Sequence, residues 1–296
     1  MPPSTAMPSI PELALTMSFP WQFMAASLYY LPGTILSTLQ QRDFRTLLSW
    51  SRFQSAWFGR FWAWAGPQVR SGAEVAVVPL LEGRVTRGCV VDLPAARHPG
   101  IAGTVLEIGP GSGMWVSIFS DRYQSGEEVK SSPKGSTPAP GNRGTVTRVY
   151  GVEPNPGVHH LLREQISAAE LQDVYEVVPV GIEDLASSGR VAPKSVDCIV
   201  SVLCLCSIPE PRKNIVELYG YLKPGGRWYV YEHVRRERSN SWPIALYQGL
   251  FPRPISFSIR CILPLALCCC MLPDVSERYM LTKAGLQGLS TSSGHT

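Results

Sequence analysis

The 296-residue sequence predicts a doubly wound, mostly parallel α/β sheet, preceded by a helical, aromatic-rich segment. Three observations carry that expectation. Short apolar runs alternate with amphipathic helical patterns through the middle of the chain. One of those runs, VDCIVSVLCLCS (196–207), is continuous in apolar residues, as a parallel strand covered on both faces must be. A turn carrying three glycines, GPGSG, directly follows the first run, where such sheets hold their ligands.

Taken in order, the chain begins with a Pro/Ser-rich leader, MPPSTAMPSIPE, expected to be disordered. Residues 13–41 contain no charge, which is long enough to reach across a bilayer. Pro20 and Pro32 interrupt the stretch, and it lacks the basic start and cleavage site of a signal peptide. A re-entrant or interfacial anchor fits it better than a spanning helix. Next, RDFRTLLSWSRFQSAWFGRFWAWAG (42–66) reads as one helix, ended by Gly66-Pro67. At about 100° per residue, Arg42, Arg45, Arg52 and Arg60 fall in one sector of about 80°, opposite a wide Trp/Phe face. Such a helix lies in the plane of a membrane surface, or packs its aromatic face on the domain as a lid, and the two are compatible. Residues 1–41 are therefore a leader and apolar anchor, and 42–100 a helix and lid region.

The folded domain is expected over 101–254. TVLEIG (104–109) is a buried strand, and GMWVSIFSDRY starts a helix after the glycine turn. RVYGVEPN (148–155) is a strand and turn, PGVHHLLREQISAAEL an amphipathic helix, and VYEVVPVG (174–181) a third strand. After the apolar run 196–207 comes the helix KNIVELYGYL, ended by Lys223-Pro224-Gly225-Gly226, and then the strand RWYVYEHV (227–234). The Ser/Gly/Pro-rich residues 124–147 form a disordered surface insert. Residues 255–296 are atypical: ISFSIRCILPLALCCCMLP is apolar without a hairpin turn, DVSERYMLTKAG is expected as a late helix, and a Ser/Gly tail follows. No sixth strand is legible, so an incomplete C-terminal sheet edge is expected, with 261–272 a buried helix or a second membrane-touching segment.

With 45% hydrophobic residues the chain can bury a substantial core, and its 17% of charged residues is low for a soluble protein. The net charge of +4 is spread along the chain and gives no reason to expect nucleic acid as a partner. Of eight cysteines, Cys198, Cys204 and Cys206 lie in the apolar run, and Cys268, Cys269 and Cys270 are consecutive. Neither pattern is a disulfide framework, and no His or second pair stands at zinc spacing, so no metal site is expected. They read as small buried hydrophobes in a reducing compartment.

Gly109, Gly111 and Gly113 suit either a phosphate or S-adenosylmethionine, and alone they do not choose. Glu107, inside the strand, does: it would repel a pyrophosphate and attract a cationic cofactor with an α-amino group. Glu153 ends the second strand, where its oxygens can accept both ribose hydroxyls. His159 and His160 read as surface or capping residues.

VLEIGPGSG, YGVEPN, VGIEDL, DCIVSVLCLCSIP and LKPGGRWYVYEHV, in this order, resemble the successive motifs of class I S-adenosylmethionine-dependent methyltransferases, which have a Rossmann-like fold. More narrowly, LCLCSIP followed by LKPGGRWYVYEHVRRERS is similar to the membrane-associated methyltransferase-like protein seven family, whose members methylate thiols and related small acceptors at the endoplasmic reticulum and lipid droplets. AWFGRFWAWAGP looks like fungal members that tailor secondary metabolites. The resemblance implies S-adenosylmethionine as cofactor, with the three glycines approaching it and Glu107 near its amino group. It implies Glu153 on the ribose, Ile182 and Glu183 at the adenine, and Leu203 to Ser207 along the sulfonium side. Glu232-His233, ending the fifth strand, is the candidate base pair for a phenol or thiol acceptor. It implies a membrane-associated enzyme at the cytosolic face of the endoplasmic reticulum or lipid droplets, acting on a small apolar hydroxyl or thiol. The rivals are a cofactor-binding but impaired methyltransferase-like protein and a nicotinamide-dependent oxidoreductase. The latter is disfavoured by Glu107 and by the lack of a Tyr-x-x-x-Lys pair.

Overall fold

The computed structural model describes residues 10–86, 89–91, 98–120, 144–205, 207–233 and 276–282. The chain divides into two compact units, Met1–Trp64 with Leu205–Pro209 and Glu232–Glu277, and Ala65–Cys204 with Glu210–Tyr231 and Arg278–Thr296.

Helices α1 (Ile10–Tyr29), α2 (Leu31–Gln40), α3 (Phe44–Leu48) and the start of α4 (Trp50–Leu81) build the first unit. Pro20 does not interrupt the apolar stretch, since α1 runs through it. The break falls instead at Tyr30, because Pro32 sits in the first turn of α2, where a missing N–H leaves no helical bond unmade. The stretch expected as one helix over 42–66 is likewise two. Asp43 caps α3 by accepting from the Thr46 amide (3.1 Å) and hydroxyl (2.6 Å). Ser49 is then extended, and α4 starts afresh at Trp50. Phe53, Trp57 and Phe61 of α4 are buried. Phe61 meets Phe23 edge-on at 4.7 Å between ring centroids, and the Trp57 indole N–H donates to the Ser27 carbonyl at 2.8 Å. Among the described residues no helix is long and apolar enough to cross a membrane.

In the second unit, α4 passes Gly66-Pro67 and Pro79 and ends only at Leu81, contrary to the expected stop. A proline inside a helix costs about 3 kcal/mol, but here Ala65, Ala73, Ala76, Val77, Leu80 and Leu81 all bury an apolar stripe in the core, and that burial outweighs it. A small antiparallel pair follows, β1 (Val85–Thr86) with β2 (Cys89–Val90).

The main sheet comprises β3 (Gly103–Ile108), β4 (Val146–Val152), β5 (Tyr175–Val178), β6 (Val196–Val202), β7 (Leu222–His233) and β8 (Ser276–Thr282), in the order β5-β4-β3-β6-β7-β8. Strands β3 to β7 pair in parallel. The chain moves outward one way from β3 and the other way from β6, so the switch point lies between them. Helices α5 (His159–Ala168), α6 (Leu185–Ser188) and α7 (Pro211–Tyr219) provide crossovers. Val105, Leu106, Ile199, Val200 and Tyr229 are fully buried, as strands covered on both faces require. Cys198 and Cys204 are buried and form no disulfide.

Several boundaries differ from the sequence expectation. The segment after the glycine turn is a 3-10 turn, Val116–Phe119, rather than the start of an α-helix, and Ser120 beyond it is extended. Strand β4 begins at Val146, inside the expected insert. Helix α7 ends at Tyr219, and the Lys-Pro-Gly-Gly run belongs to β7 as a bulge, since Leu222 pairs with Val196 and Arg227 with Cys198. The residues expected as a late helix form β8, which supplies the sheet with a sixth strand beside β7. The start of the leader (1–9), the end of the expected helix (121–123), most of the insert (124–143), the Cys-rich run 261–272 and the tail lie outside the described residues.

Candidate functional site

At the carboxyl end of β3 the chain turns through Gly109, Gly111 and Gly113, all at positive φ. Gly109 is required twice over. Its φ is +64°, and a side chain there would bring a Cβ within 2.7 Å of the Cys204 Cβ at the end of β6. Gly111, at φ +57°, differs: nothing lies within 4 Å of where its Cβ would be, so its backbone faces open space. The Gly113 amide closes the turn by donating to the Pro110 carbonyl at 2.9 Å.

Two buried carboxylates border this turn. Glu153, the residue after β4, accepts from the Gly111 amide through Oε2 (2.9 Å) and from the Asn155 amide through Oε1 (2.8 Å). It thereby ties the end of one strand to the glycine turn of the next. Burial pushes its carboxyl up, while the two amides and the nearby His159 oppose that rise. His159, expected at the surface, is buried and donates from Nε2 to the Glu153 carbonyl at 2.8 Å, whereas His160 is exposed. It therefore holds the backbone of Glu153 in place. Asn155 caps the following turn by accepting from the Gly157 amide.

Glu107 lies on β3 beneath the turn, 3% exposed. Its Oε2 accepts from the Tyr175 hydroxyl at 2.5 Å. Burial pushes the Glu107 carboxyl up to about 7, the charge of Glu153 adds to the rise, and the Tyr175 bond opposes it. Burial and the adjacent Glu107 push the Tyr175 hydroxyl well above the usual phenol range, so it acts as a donor. A buried carboxylate pair beside a half-buried glycine turn suits a ligand that is cationic at one end and rich in hydroxyls at the other.

The remaining candidates divide between the two units. Ile182 is buried and Glu183 exposed in the short turn Ile182–Asp184 that follows β5. Leu203 leaves β6 at φ +54°, a left-handed conformation that costs a branched residue about 1–2 kcal/mol, and its amide donates to the Tyr231 carbonyl at 2.8 Å. Strain of this kind sits here at the switch point. Ser207 is exposed, and Glu232 is buried and accepts from the Leu205 amide at 3.1 Å, both within the first unit. His233 is the last residue of β7.

Two residues at this site escaped the sequence reading. Tyr175 looked like one more apolar strand residue. Its signal was its register, two residues along the same face from the position facing Gly151. Arg70 was missed because α4 was expected to end before it. Its guanidinium donates to the Met114 carbonyl (2.7 Å) and the Ser117 hydroxyl (3.1 Å), and lies over the Trp115 ring, pinning the segment after the glycine turn.

Comparison with known proteins agrees with this architecture. The family described as "Methyltransferase domain" matches residues 86–287, more than half of the chain. Human thiol S-methyltransferase TMT1A is 35% identical over 106 residues, 36% of this chain and 41% of that protein. Human TMT1B is 35% identical over 105 residues, 35% of this chain and 41% of that protein. The chain thus spans about two fifths of the length of the curated relatives it matches. Among solved structures, the DhpI–SAM–HEP complex aligns over 66% of this chain and 70% of that chain at 16% identity, with a TM-score of 0.38. With the family match covering the sheet from β3 to β8 and the glycine turn with it, the chain belongs to the methyltransferase-domain family, the class I S-adenosylmethionine-dependent methyltransferases.

Proposed function

We propose that the protein transfers the methyl group of S-adenosylmethionine to a small apolar thiol or hydroxyl acceptor while docked on a membrane surface. The observation that carries the cofactor half is Glu153, whose carboxylate is fixed by two backbone amides beside the open Gly111 backbone. The donor set suits the cofactor. Glu153 would hold the ribose hydroxyls, Glu107 the α-amino group, Ile182 and Glu183 the adenine, and Leu203 to Ser207 the sulfonium side. The bound cofactor supplies a methyl carbon already activated by its sulfonium. What is then asked of the chain is alignment of the acceptor with that carbon and removal of the acceptor's proton. The Glu232-His233 pair that ends β7 would supply the base that takes this proton. The thiol half of the reading draws on the relatives' names, and a secondary-metabolite tailoring role on the resemblance of the aromatic stretch.

The membrane half rests on exposed apolar side chains among residues 10–64. Leu48 is 88% exposed, Ile10 84% and Tyr29 80%, and Trp21, Leu28, Leu36, Phe44 and Trp50 are also exposed. Surfaces of this kind mark protein or lipid partners. Arg42, Arg45 and Arg52 lie in the same stretch and suit an anionic lipid surface, and the reading places the protein at the cytosolic face of the endoplasmic reticulum or lipid droplets. Strand β8 beside β7 favours a working enzyme over a cofactor-binding relic, because it covers the edge expected to be open.

The test is incubation with methyl-labelled S-adenosylmethionine and a panel of alkyl thiols, thiophenols and phenols. Label is expected in a thiol or phenol product, and H233A is expected to abolish transfer while retaining cofactor binding. Cofactor binding with no labelled product from any acceptor overturns the enzymatic reading.

A further inference from the structure

Tyr175 has no part in the reading given so far, yet it makes the short bond to Glu107. It reaches Glu107 from β5, across β4, which separates β5 from β3. Gly151 pairs with Glu107 across the β3–β4 ladder, and a Cβ at position 151 would collide with the Tyr175 hydroxyl. The glycine therefore opens the passage that the phenol fills. Both ends of the bond are buried, and the Tyr175 ring also lies against Phe119 in the turn that follows the glycines.

We propose that Tyr175 is a positioning residue for the cofactor: its hydroxyl holds one oxygen of Glu107, keeping the carboxylate charged and its other oxygen available to the cofactor's α-ammonium. The inference rests on the reading of the glycine turn and the two glutamates as the cofactor site. The physical argument is that an isolated buried carboxylate takes up a proton rather than stay charged. Glu107 is fully buried and faces a second carboxylate, Glu153, from the end of β4; both features favour the neutral acid. Tyr175 from β5 opposes them with its hydrogen bond. On its other side Glu107 pairs with Val200 of β6, and the turn Val116–Phe119 contains no ionisable side chain, while His159 acts on Glu153. Removing the phenol oxygen would leave Glu107 neutral across a wider pH range. A neutral acid has no charge to offer an ammonium group.

The experiment compares wild type, Tyr175→Phe and Glu107→Gln by calorimetric binding of S-adenosylhomocysteine between pH 6 and 8. 5′-Methylthioadenosine, which shares the adenosine but lacks the amino acid, is measured alongside. Wild-type affinity for S-adenosylhomocysteine is expected to fall as pH drops through about 7, where Glu107 gains its proton. Y175F is expected to bind S-adenosylhomocysteine about tenfold more weakly at pH 7, the loss of a hydrogen bond to a charged group, with the pH at which affinity falls moved upward. E107Q is expected to bind weakly with no pH dependence, and all three to bind 5′-methylthioadenosine alike. In the ligand-free protein, carboxyl carbon NMR is expected to show Glu107 titrating at higher pH in Y175F. Equal weakening of both ligands by Y175F, or an unmoved Glu107 titration, overturns the proposal. Failure of wild type to bind either ligand overturns instead the site reading beneath it.

Discussion

Glu107 and Tyr175 are joined by a 2.5 Å hydrogen bond that crosses a whole strand of the sheet. The pair contributes to how stability varies with pH. The folded state holds a proton on Glu107 up to about pH 7, whereas the unfolded chain releases it near 4.5, so between these values the folded state binds more protons. The contribution of Glu107 to stability therefore falls as pH rises from 4.5 to 7 and is level above. E107Q removes this loss while keeping an oxygen to accept from Tyr175. It is expected to exceed wild type in unfolding free energy by up to about 3 kcal/mol at pH 8, and to match it near pH 4.5, in denaturant titrations. A gap that does not change with pH would count against a protonated Glu107.

The glycine turn gives a contrast between two positions of the same conformation. Gly109→Ala puts a Cβ into the Cys204 side chain as well as at positive φ, and is expected to lower stability by about 2–4 kcal/mol. Gly111→Asn meets open space in a conformation asparagine tolerates, and is expected to cost less than about 1 kcal/mol. It should nevertheless weaken S-adenosylhomocysteine binding, because its side chain enters the space where the ligand approaches. Similar melting temperatures for the two variants would show that Cys204 yields.

Glu153→Gln replaces one acceptor oxygen with an NH2 group that must face the Gly111 or the Asn155 amide. One buried donor is left without a partner, which costs about 1–3 kcal/mol in stability. Unlike E107Q, this variant should weaken 5′-methylthioadenosine as much as S-adenosylhomocysteine, because both ligands carry the ribose. Calorimetry with the two ligands separates the roles of the two glutamates.

Phe44 and Leu48 lie on α3, which buries none of its residues. In co-sedimentation with vesicles of phosphatidylcholine and phosphatidylserine, the double change Phe44→Ser, Leu48→Ser is expected to reduce partitioning by about a hundredfold or more, as removal of two apolar anchors of about 1.5–3 kcal/mol each implies. Cofactor affinity should stay at the wild-type value. Undiminished vesicle binding would shift the docking surface to another part of residues 10–64.

The sheet was legible because its signals are local. A short continuous apolar run such as 196–202, set between helical patterns, fits a strand covered on both sides, and the glycine turn after β3 needs residues that tolerate positive φ. For the same reason Glu107 stood out as a charge inside an apolar strand and Glu153 as an acid at a strand end, and both border the glycine turn. The passage of α4 through Gly66-Pro67 was not legible. Proline's local penalty is visible in sequence, while the stripe from Ala65 to Leu81 that outweighs it gains its energy only against a core assembled from distant strands.

By itself the sequence determined the alternation of elements, the glycine turn and the two acidic residues near it, because each depends on a residue's own backbone preference or on hydrophobic period. The tertiary structure alone decided who partners whom. Tyr175 reaches Glu107 only because β4 lies between β5 and β3 with a glycine at the crossing point. His159 turns inward to the Glu153 carbonyl, Arg70 reaches the segment after the turn, and residues 276–282 join the sheet as a strand rather than coil as a helix. Those outcomes depend on strand order and on contacts between residues far apart in the chain, which no local pattern encodes.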